Sequence, residues 1–493
     1  MRFFDFNVNS SAVIIVLILY GFVLVFTIVR ILLDTNSTPK TLAYILLVAL
    51  FPVLGVLFFY AFGGDYRHVK ITAHRYKEAV ALTRAFNKEN KDNTSALLKE
   101  YENDLMQYKD LVKFIYKHSH ENLNFNDYHL LENGENKFPE VLKELEKAKS
   151  FIHIEYYAWE NDVRGNQIKE VLLKKAKEGV KVRVLVDAFA SRGIEKNIVK
   201  ELNEGGAEVH PFIKIIFTRL ASRTNHRDHR KIIIIDGVVG FVGGINVSDR
   251  YDNSIDTGLY WRDTHVKIMG ESVNNLQRHF IICWNAADQT KNLTFKKELF
   301  PNFPETNINK EKELAQIVAG GPLDNISNIM LTYFKIFTLA TQKLYITNPY
   351  FVPNSSILNA LKQAAITGVD VRILVPKKSD SALVGATTNF YFKELLEVGV
   401  KIYLYEKGFI HAKTLVADSY VSVVGTANMD LRSFDLNFEI MSVIYGNKFA
   451  AEMERNFLSD LENSELLNYA DWMKQSNWTF LKFATARLIS SFL

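Results

Sequence analysis

The sequence predicts an α/β protein made of two copies of one unit, preceded by two apolar helices. A strand, helix and strand pattern occurs twice, each copy is followed by the same spacing of His, Lys, Asp and Asn, and two uncharged runs precede both. We therefore expect two duplicated α/β domains with mixed sheets and pseudo-twofold packing, plus an N-terminal transmembrane hairpin of two helices.

The amino end carries the two uncharged runs, residues 12–29 and 41–64. Each run is long enough to cross the hydrocarbon core as a helix. A cleaved signal peptide would explain only the first run, and soluble core helices are the alternative for both. The connection from Arg30 to Lys40 is short, so we predict a hairpin anchor over residues 1–64.

The basic residues around the runs predict the orientation of this anchor. A slight excess follows the second run, and the positive-inside rule then places the long carboxyl part in the cytoplasm. We expect a multi-pass protein of the cell membrane. The residues that follow the second run are Arg67, Lys70, Arg75 and Lys77, against Arg30 and Lys40 between the runs.

The next segment, residues 65–120, predicts a helical linker. It is rich in Lys, Glu, Asn and Ala, and apolar residues recur in it at helical intervals. They are Leu97, Leu98, Tyr101, Leu105, Tyr108 and Leu111. The two α/β domains would then occupy residues 121–300 and 301–493.

Each domain contains a predicted strand, helix and strand joined by short links. Such an order gives right-handed crossovers and a sheet covered on both faces. The elements are 151–157, 168–177 and 179–186 in the first copy, and 344–347, 357–365 and 368–375 in the second.

A hairpin follows in the first copy, with His229 and Lys231 at the start of its first strand. Side chains two apart in a strand share a face, so the two basic groups point the same way. If the turn is centred between residues 237 and 238, Asn246 stands opposite His229 and Gly244 opposite Lys231. The glycines Gly243 and Gly244 would leave room for a ligand to approach the backbone.

The second copy repeats the spacing with His411, Lys413, Asp418 and Asn428. In both copies Lys follows His by two, Asp follows Lys by five and Asn follows His by seventeen. A lone His-x-Lys on a strand is more often an exposed polar face than a catalytic pair. Two copies with the same downstream glycine and asparagine favour catalysis.

These residues resemble the phospholipase D superfamily, whose signature H-x-K-x(4)-D-x(6)-G-[GST]-x-N the chain carries twice without a missing position. The first copy is His229, Lys231, Asp236, Gly243, Gly244 and Asn246, and the second is His411, Lys413, Asp418, Gly425, Thr426 and Asn428. The resemblance implies a fold of two such domains and phosphoryl transfer without a cofactor.

Two facing imidazoles can divide that chemistry, because one attacks phosphorus while the other protonates the departing oxygen. By analogy we nominate His229 as nucleophile and His411 as acid and base. The residues expected around the non-bridging oxygens are Lys231, Lys413, Asn246 and Asn428. Metal ligation by the histidines is disfavoured, because each has a Lys two residues away and no cluster of carboxylates or thiolates beside it.

Carboxylates complete the candidate catalytic set. Asp263 and Glu439 stand where the superfamily carries its acidic histidine partners. Asp236 and Asp418 lie at the hairpin turns, where they either pair with a neighbouring base or cap the turn, and we favour the cap.

The candidate substrate-binding set combines motif residues with basic ones. The arginines would attract anionic headgroups, and a solvated basic loop is the alternative. The set is Gly243, Gly244, Gly425, Thr426, Arg227 and Arg230, with Arg219 and Arg223 as further basic residues.

The substrate is indicated by features that resemble the bacterial cardiolipin synthases. These are the two amino-terminal spans, the run 225–231 leading into the first motif, residues 320–322, and the run 347–353, in which Asn348 is a small departure. The resemblance implies that two phosphatidylglycerol molecules are joined into cardiolipin and glycerol at the membrane. A hydrolase or a transferase using another alcohol is the nearest alternative, and a catalytically inactive lipid-binding scaffold is a more distant one.

Composition limits the remaining classes. The formal charge of +4 over 493 residues gives little argument for a nucleic-acid partner, so a nuclease is disfavoured. The single Cys283 excludes an internal disulfide. The apolar carboxyl end, residues 478–493, either lies on the membrane surface or packs against the catalytic body. The sequence does not indicate an oligomeric state.

Overall fold

A computed structural model describes residues 11–35, 38–60, 93–212, 226–287, 292–301, 303, 312–322, 324 and 326–490. The basic residues Arg67, Lys70, Arg75 and Lys77 lie outside the described residues, as do Arg219 and Arg223. The first part of the chain and the catalytic body form separate compact units.

The first apolar run forms the helix Ser11–Asp34. Within the described residues, its stretch Val13–Asp34 is the one helix long and apolar enough to cross a membrane. Its 22 residues span about 33 Å, which matches the hydrocarbon core of a bilayer.

The second apolar run is divided into two helices, Thr38–Leu50 and Pro52–Phe58. Pro52 has no backbone N–H, so the hydrogen-bond ladder cannot continue through it. The second helix folds back on the first, since the rings of Tyr44 and Phe59 lie 5.5 Å apart. Gly55 permits this contact, because a Cβ atom there would lie 2.6 Å from the carbonyl oxygen of Leu47. The described part of residues 41–64 therefore forms two helices instead of one continuous helix.

Within the described residues, the body that follows the amino-terminal unit contains eighteen strands. The first repeat has β1 (Asn124–Glu132), β2 (Phe151–Tyr156), β3 (Lys181–Asp187), β4 (Glu208–Phe212), β5 (Arg227–Asp228), β6 (Lys231–Ile235), β7 (Val239–Gly243), β8 (Trp261–Arg262) and β9 (Thr264–Gly270). The second has β10 (Glu313–Gly320), β11 (Lys343–Thr347), β12 (Asp370–Pro376), β13 (Lys401–Tyr405), β14 (Phe409–Ile410), β15 (Thr414–Ala417), β16 (Val421–Gly425), β17 (Asn437–Tyr445) and β18 (Ser464–Leu466).

Helices connect these strands and cover the sheet. The main ones are Asn133–Glu146, Val163–Lys177, Lys200–Glu204 and Ser272–Ala287 in the first repeat. The second repeat has Asn328–Leu339, Ser355–Ile366, Ala382–Leu396, Leu431–Asp435, Asn447–Leu461, Tyr469–Trp472 and Asn477–Ser490.

One mixed sheet of sixteen strands runs through both repeats. Its order is β18-β13-β12-β11-β15-β16-β17-β10-β1-β9-β7-β6-β2-β3-β4, with β5 added beside β17. The antiparallel pair β1 and β10 lies at the centre, and equivalent strands follow in the same order on either side of it. This order supports the expected pseudo-twofold arrangement. The domain boundaries near 121 and 301 remain predictions.

The predicted crossovers are present, since β2 pairs with β3 and β11 with β12 in parallel. The hairpin register differs by one residue from the prediction. Ile235 pairs with Val239, so the loop has three residues instead of two, and Lys231 faces the position of Gly243 instead of Gly244. The cause is the loop conformation, because both Asp236 and Gly237 adopt positive φ angles.

The segment predicted as a linker is described from residue 93 onwards, and there it packs against the second repeat. It forms the helices Thr94–Glu100, Glu102–Leu105 and Lys109–Phe114. Leu105, Tyr108 and Leu111 are fully buried in the same apolar core as Leu415 and Val423 of the second hairpin. The described part of the segment therefore contributes to the body.

Candidate active site

His229 lies at the start of the first motif, and a carboxylate of the second repeat holds it. Its Nδ1 is 2.9 and 3.0 Å from the two carboxylate oxygens of Glu439. Glu439 is fully buried and also accepts a hydrogen bond of 2.6 Å from the hydroxyl of Thr426. These contacts fix the orientation of the imidazole.

His411 is held in the reciprocal way by a carboxylate of the first repeat. Its Nδ1 lies 2.7 Å from Oδ2 of Asp263, whose side chain is almost fully buried. The other oxygen of Asp263 accepts from the backbone N–H of Thr264 at 2.6 Å. Each histidine therefore depends on an acid from the other half of the chain.

Short strands exchanged between the repeats position these pairs. The backbone N–H of His229 donates to the carbonyl of Phe438 at 3.0 Å, just before Glu439. The backbone N–H of His411 donates to the carbonyl of Arg262 at 2.7 Å, just before Asp263. Strand β5, which leads into His229, pairs in parallel with β17, which carries Glu439. Strand β14, which leads into His411, pairs in parallel with β8, which ends just before Asp263.

The carboxylate contacts determine which ring nitrogen is reactive. An ionised carboxylate only accepts hydrogen bonds, so each Nδ1 carries a proton and each Nε2 keeps its lone pair when the ring is neutral. His229 and His411 are 8% and 6% exposed, so each residue keeps a small solvent-accessible surface. Both Nε2 atoms can therefore act as nucleophile or base.

The pKa of each imidazole is depressed. Burial lowers the pKa of His229 to about 4, opposed by Glu439 and reinforced by Lys231 and Lys413. Burial lowers the pKa of His411 to about 3, reinforced by Lys413 and Lys231 and opposed by Asp263. Each ring thus interacts with the lysine of the other repeat, which indicates one shared electrostatic site. Both rings are neutral at pH 7.

The motif lysines lie beneath the histidines. Nζ of Lys231 donates to the carbonyl of His229 at 2.6 Å, and Nζ of Lys413 donates to the carbonyl of His411 at 2.5 Å. Burial lowers the pKa of Lys231 to about 7 and that of Lys413 to about 8. Their mutual repulsion contributes to the shift at Lys231. An anion between the repeats would relieve this repulsion.

The motif asparagines differ in their contacts. Asn246 donates to the hydroxyl of Tyr251 at 2.8 Å and accepts from the backbone N–H of Ala158 at 3.2 Å, so its amide is already oriented. The backbone N–H of Asn428 donates to Ser433. Its buried Oδ1 has no hydrogen-bond partner among the described residues.

The motif aspartates lie at the far ends of their strands from the histidines. Asp236 accepts from the backbone N–H groups of residues 149, 150 and 151 at 2.8 to 2.9 Å. Asp418 accepts from those of residues 341, 342 and 343, with 2.8 Å to Gln342 and 3.0 Å to Lys343. Both carboxylates therefore tie the hairpin turn to the start of the neighbouring strand. Their place in the catalytic set is corrected to the capping role that sequence reasoning favoured.

The four motif residues proposed to bind substrate contact the acids or the strands that carry them. A Cβ atom at Gly244 would lie 2.2 Å from Oδ1 of Asp263, and one at Gly243 would lie 2.5 Å from the backbone of His265. A Cβ atom at Gly425 would collide with Met441. Thr426 bonds directly to Glu439. The expectation that the glycines leave space for a ligand is therefore replaced by close packing of the acid-bearing strands.

The two described arginines, Arg227 and Arg230, differ in exposure. Arg230 is fully buried and contacts Sγ of Cys283 at 2.8 Å, Oε1 of Glu155 at 3.6 Å and the carbonyl of Glu439 at 3.3 Å. It supports the acid from behind, so its assignment to a headgroup site is wrong. Arg227 is partly exposed and lies over the ring of Phe189 at 4.6 Å, which leaves it available to an anion.

Aromatic residues that sequence reasoning missed surround the imidazoles. The ring of Tyr157 lies 4.7 Å from that of His229, and the rings of Tyr251, Trp261 and Tyr350 lie 5.7, 5.6 and 6.2 Å from that of His411. Tyr157 directly follows β2 and Tyr350 follows β11 by three residues. Their positions at the ends of predicted strands were the sequence feature that could have indicated them.

Comparisons with known proteins show the family of the chain. Residues 141–284 and 333–461 match the family described as cardiolipin synthase, PLD-like domain, and residues 22–64 match a phospholipase D-nuclease N-terminal family. The chain is 36% identical to a cardiolipin synthase of Listeria innocua over 97% of this chain and 98% of that protein. It is 35% identical to the major cardiolipin synthase of Bacillus subtilis over 93% and 95% of the two chains.

A solved structure shows the same fold. The phosphatidylserine synthase of Haemophilus influenzae superposes with a TM-score of 0.57 at 16% identity, covering 78% of this chain and all of that one.

Proposed function

The chain belongs to the cardiolipin synthase family of the phospholipase D superfamily, and from that premise we propose that His229 and His411 pass a phosphatidyl group between two phosphatidylglycerol molecules. The enzyme is a phosphatidyltransferase, and its substrates are phospholipids. The observation that carries the residue assignment is the reciprocal holding of each imidazole by the acid of the other repeat.

In the first step, Nε2 of His229 attacks the phosphorus of phosphatidylglycerol. An N–P bond forms, the P–O bond to the headgroup glycerol breaks, and His411 gives a proton from Nε2 to the departing oxygen. Glycerol leaves and a phosphatidyl-histidine remains. Glu439 stabilises the positive charge that develops on the ring of His229.

In the second step, neutral His411 removes the proton from a glycerol hydroxyl of another phosphatidylglycerol. The resulting oxygen attacks phosphorus, an O–P bond forms, and the N–P bond to His229 breaks. Cardiolipin is released and both imidazoles return to their starting states.

The proton on His411 requires the substrate. Without it, burial, reinforced by the charges of Lys413 and Lys231, keeps the pKa of His411 at about 3. A phosphodiester anion between the repeats would offset these charges and favour the protonated ring. Lys231 and Lys413 would then lie against the non-bridging oxygens, where negative charge persists through the transition state.

The order of the histidines is tested by trapping. With radioactive phosphatidylglycerol, we expect label to remain bound to the His411→Ala variant. His229 can still be phosphatidylated slowly with loss of glycerol, but no base remains to activate the second alcohol that would remove the label. The His229→Ala variant should carry none. The opposite pattern would assign the nucleophile to His411.

The donor and acceptor are tested with phosphatidylglycerol alone. The proposal requires cardiolipin and free glycerol in equal amounts. Phosphatidic acid as the main product would instead indicate hydrolysis, the nearest alternative. Tyr251, Trp261 and Tyr350 are the aromatic groups expected to exclude water from the phosphatidyl-histidine.

The chain is a membrane protein, and we place its catalytic body on the cytoplasmic side with more than one crossing. Support for a first crossing comes from the apolar helix Val13–Asp34, and support for a second comes from the uncharged run 41–64. The basic residues that follow the second run support the orientation. Protease added to inverted membrane vesicles should cleave the body, whereas protease added to intact spheroplasts should not. Cleavage in spheroplasts would reverse the orientation.

A further inference from the structure

The carboxyl-terminal helix, Asn477–Ser490, is docked on the second repeat by one of its faces. Phe483 and Ala486 are buried, and the ring of Phe483 stacks 5.9 Å from that of Trp472. The guanidinium of Arg487 lies 4.4 Å from the ring centre of Phe390. The helix is therefore held in place by the body, which was one of the two alternatives left open by the sequence.

The opposite face of this helix is apolar and exposed. Trp478, Leu481 and Leu488 are 80%, 54% and 62% exposed. Their spacing of three and seven residues places them in one stripe along the helix. Large apolar side chains grouped in this way indicate a surface that contacts something apolar.

A groove lies beside this stripe, between the carboxyl-terminal helix and the helix Ala382–Leu396. Its volume is about 490 Å³, within the range of about 300–1,000 Å³ typical of ligand sites. Leu383 and Ala386 line one wall, and Trp478 and Leu481 line the other. The polar side chains in its lining are Lys482 and Thr485.

A chain of contacts links the catalytic site to the helix that forms one wall of the groove. The ring of Tyr350 lies 6.2 Å from that of His411, and its hydroxyl donates to Oδ2 of Asp380 at 2.6 Å. Asp380 precedes Ser381, which caps the helix that forms the wall of the groove. A lipid with its phosphate at the histidines would therefore have an acyl chain within reach of the groove.

Charge favours an anionic lipid surface as the occupant. The helix carries Lys482 and Arg487 and has no acidic residue between 477 and 490. Exposed Trp and Leu beside basic residues are typical of helices that lie in the interface of a bilayer. Basic side chains there attract anionic phosphates.

We propose that the exposed face of this helix docks on the bilayer and that the groove receives an acyl chain of an anionic phospholipid. The surface contact follows from the exposed stripe and its charge, whereas the acyl-chain site rests on the proposed function. The body thus gains its own attachment to the lipid that it consumes.

Fluorescence of Trp478 tests the surface contact. Trp159, Trp284 and Trp472 are buried and Trp261 is partly buried, so the difference between wild type and Trp478→Phe isolates the exposed ring. The full chain would be reconstituted in phosphatidylglycerol vesicles with brominated acyl chains. We expect this difference signal to be quenched by the brominated lipid and protected from aqueous iodide. Quenching by iodide but not by brominated lipid would overturn the proposal.

Activity of Leu481→Glu tests the groove. We expect the KM for long-chain phosphatidylglycerol in vesicles to rise on the order of tenfold, because a charge in an apolar groove opposes chain binding. The rise should be smaller with a short-chain soluble phosphatidylglycerol, whose acyl chains are too short to fill the groove. The control is Leu488→Glu, the same change in the same exposed stripe (62% exposed) but outside the lining of the groove, and its KM should rise less.

Each outcome has one meaning. An unchanged KM for Leu481→Glu, or an equal rise for Leu488→Glu, would overturn the acyl-chain site. If wild type makes no cardiolipin from either lipid, the proposed function fails instead, and the fluorescence of Trp478 still tests the surface contact. Leu481 is half exposed, so its replacement should leave thermal unfolding unchanged.

Discussion

The reciprocal acid and histidine pairs give the sharpest prediction. In Glu439→Gln the side chain keeps its size but loses its charge, and the amide can also offer an N–H to Nδ1 of His229. The ring would then lose the anion that balances its developing positive charge, and part of the population would adopt the wrong tautomer. Since Glu439 is fully buried and contacts Nδ1 at 2.9 Å, we expect kcat to fall on the order of 10³-fold. Asp263→Asn should have an effect of similar size through His411.

A phosphatidyl ester with a p-nitrophenol headgroup separates the two pairs. This leaving group departs without a proton, so formation of the phosphatidyl-enzyme needs the nucleophile and its acid but not the general acid. We expect His229→Ala and Glu439→Gln to lose the burst of nitrophenol, and His411→Ala and Asp263→Asn to keep it. Each histidine variant should behave like the variant of its acid partner, whichever histidine is the nucleophile.

Pairing within each repeat would sort the variants differently. His229→Ala would then behave like Asp263→Asn, and His411→Ala like Glu439→Gln. That grouping would refute the reciprocal arrangement. Circular dichroism of all four variants serves as the control for folding, because the carboxylates are buried.

Three further predictions follow from the same contacts. Asp236→Asn should lower the free energy of unfolding by about 1–3 kcal/mol through weakened bonds to three backbone N–H groups and leave kcat unchanged, as measured by denaturant unfolding and glycerol release. The value of kcat/KM should decrease as pH rises through about 7 to 8, where Lys231 and Lys413 lose their protons. It should also decrease as pH drops below about 4, where His229 gains a proton. A kcat/KM that stays constant from pH 6 to 9 would contradict the role of the lysines. Arg230→Met should destabilise the protein by about 3–5 kcal/mol, because it leaves the buried carboxylate of Glu155 unpaired, and any surviving enzyme should show an unchanged KM for phosphatidylglycerol.

The sequence was sufficient for the repeat, the hairpins and the acids near the histidines. Two copies of one spacing predicted equivalent geometry, and both copies have the same strand order and the same three-residue loop. Which acid holds which histidine could not be predicted, because it depends on β5 and β14 crossing to strands of the other repeat. Local sequence carries no record of such an exchange.

Other differences have identifiable physical causes. Arg230 lies in a basic run that is typical of exposed loops, while its partners Glu155 and Cys283 are far away along the chain. The positive φ angle of Asp236 sets the hairpin register, and a two-residue turn fits the same letters. The helix break at Phe51 could have been predicted from Pro52, because proline cannot continue a helix. The continuous apolar run around Pro52 favoured an unbroken helix instead.

A structure of the full-length enzyme with bound orthovanadate tests the account most directly. Vanadate adopts the five-coordinate geometry of a phosphoryl group in transfer. We expect vanadium bonded to Nε2 of His229, with the opposite apical oxygen at a hydrogen-bond distance of about 3 Å from Nε2 of His411. Vanadate bound to one ring, with the other imidazole turned away and beyond reach, would contradict a shared phosphorus.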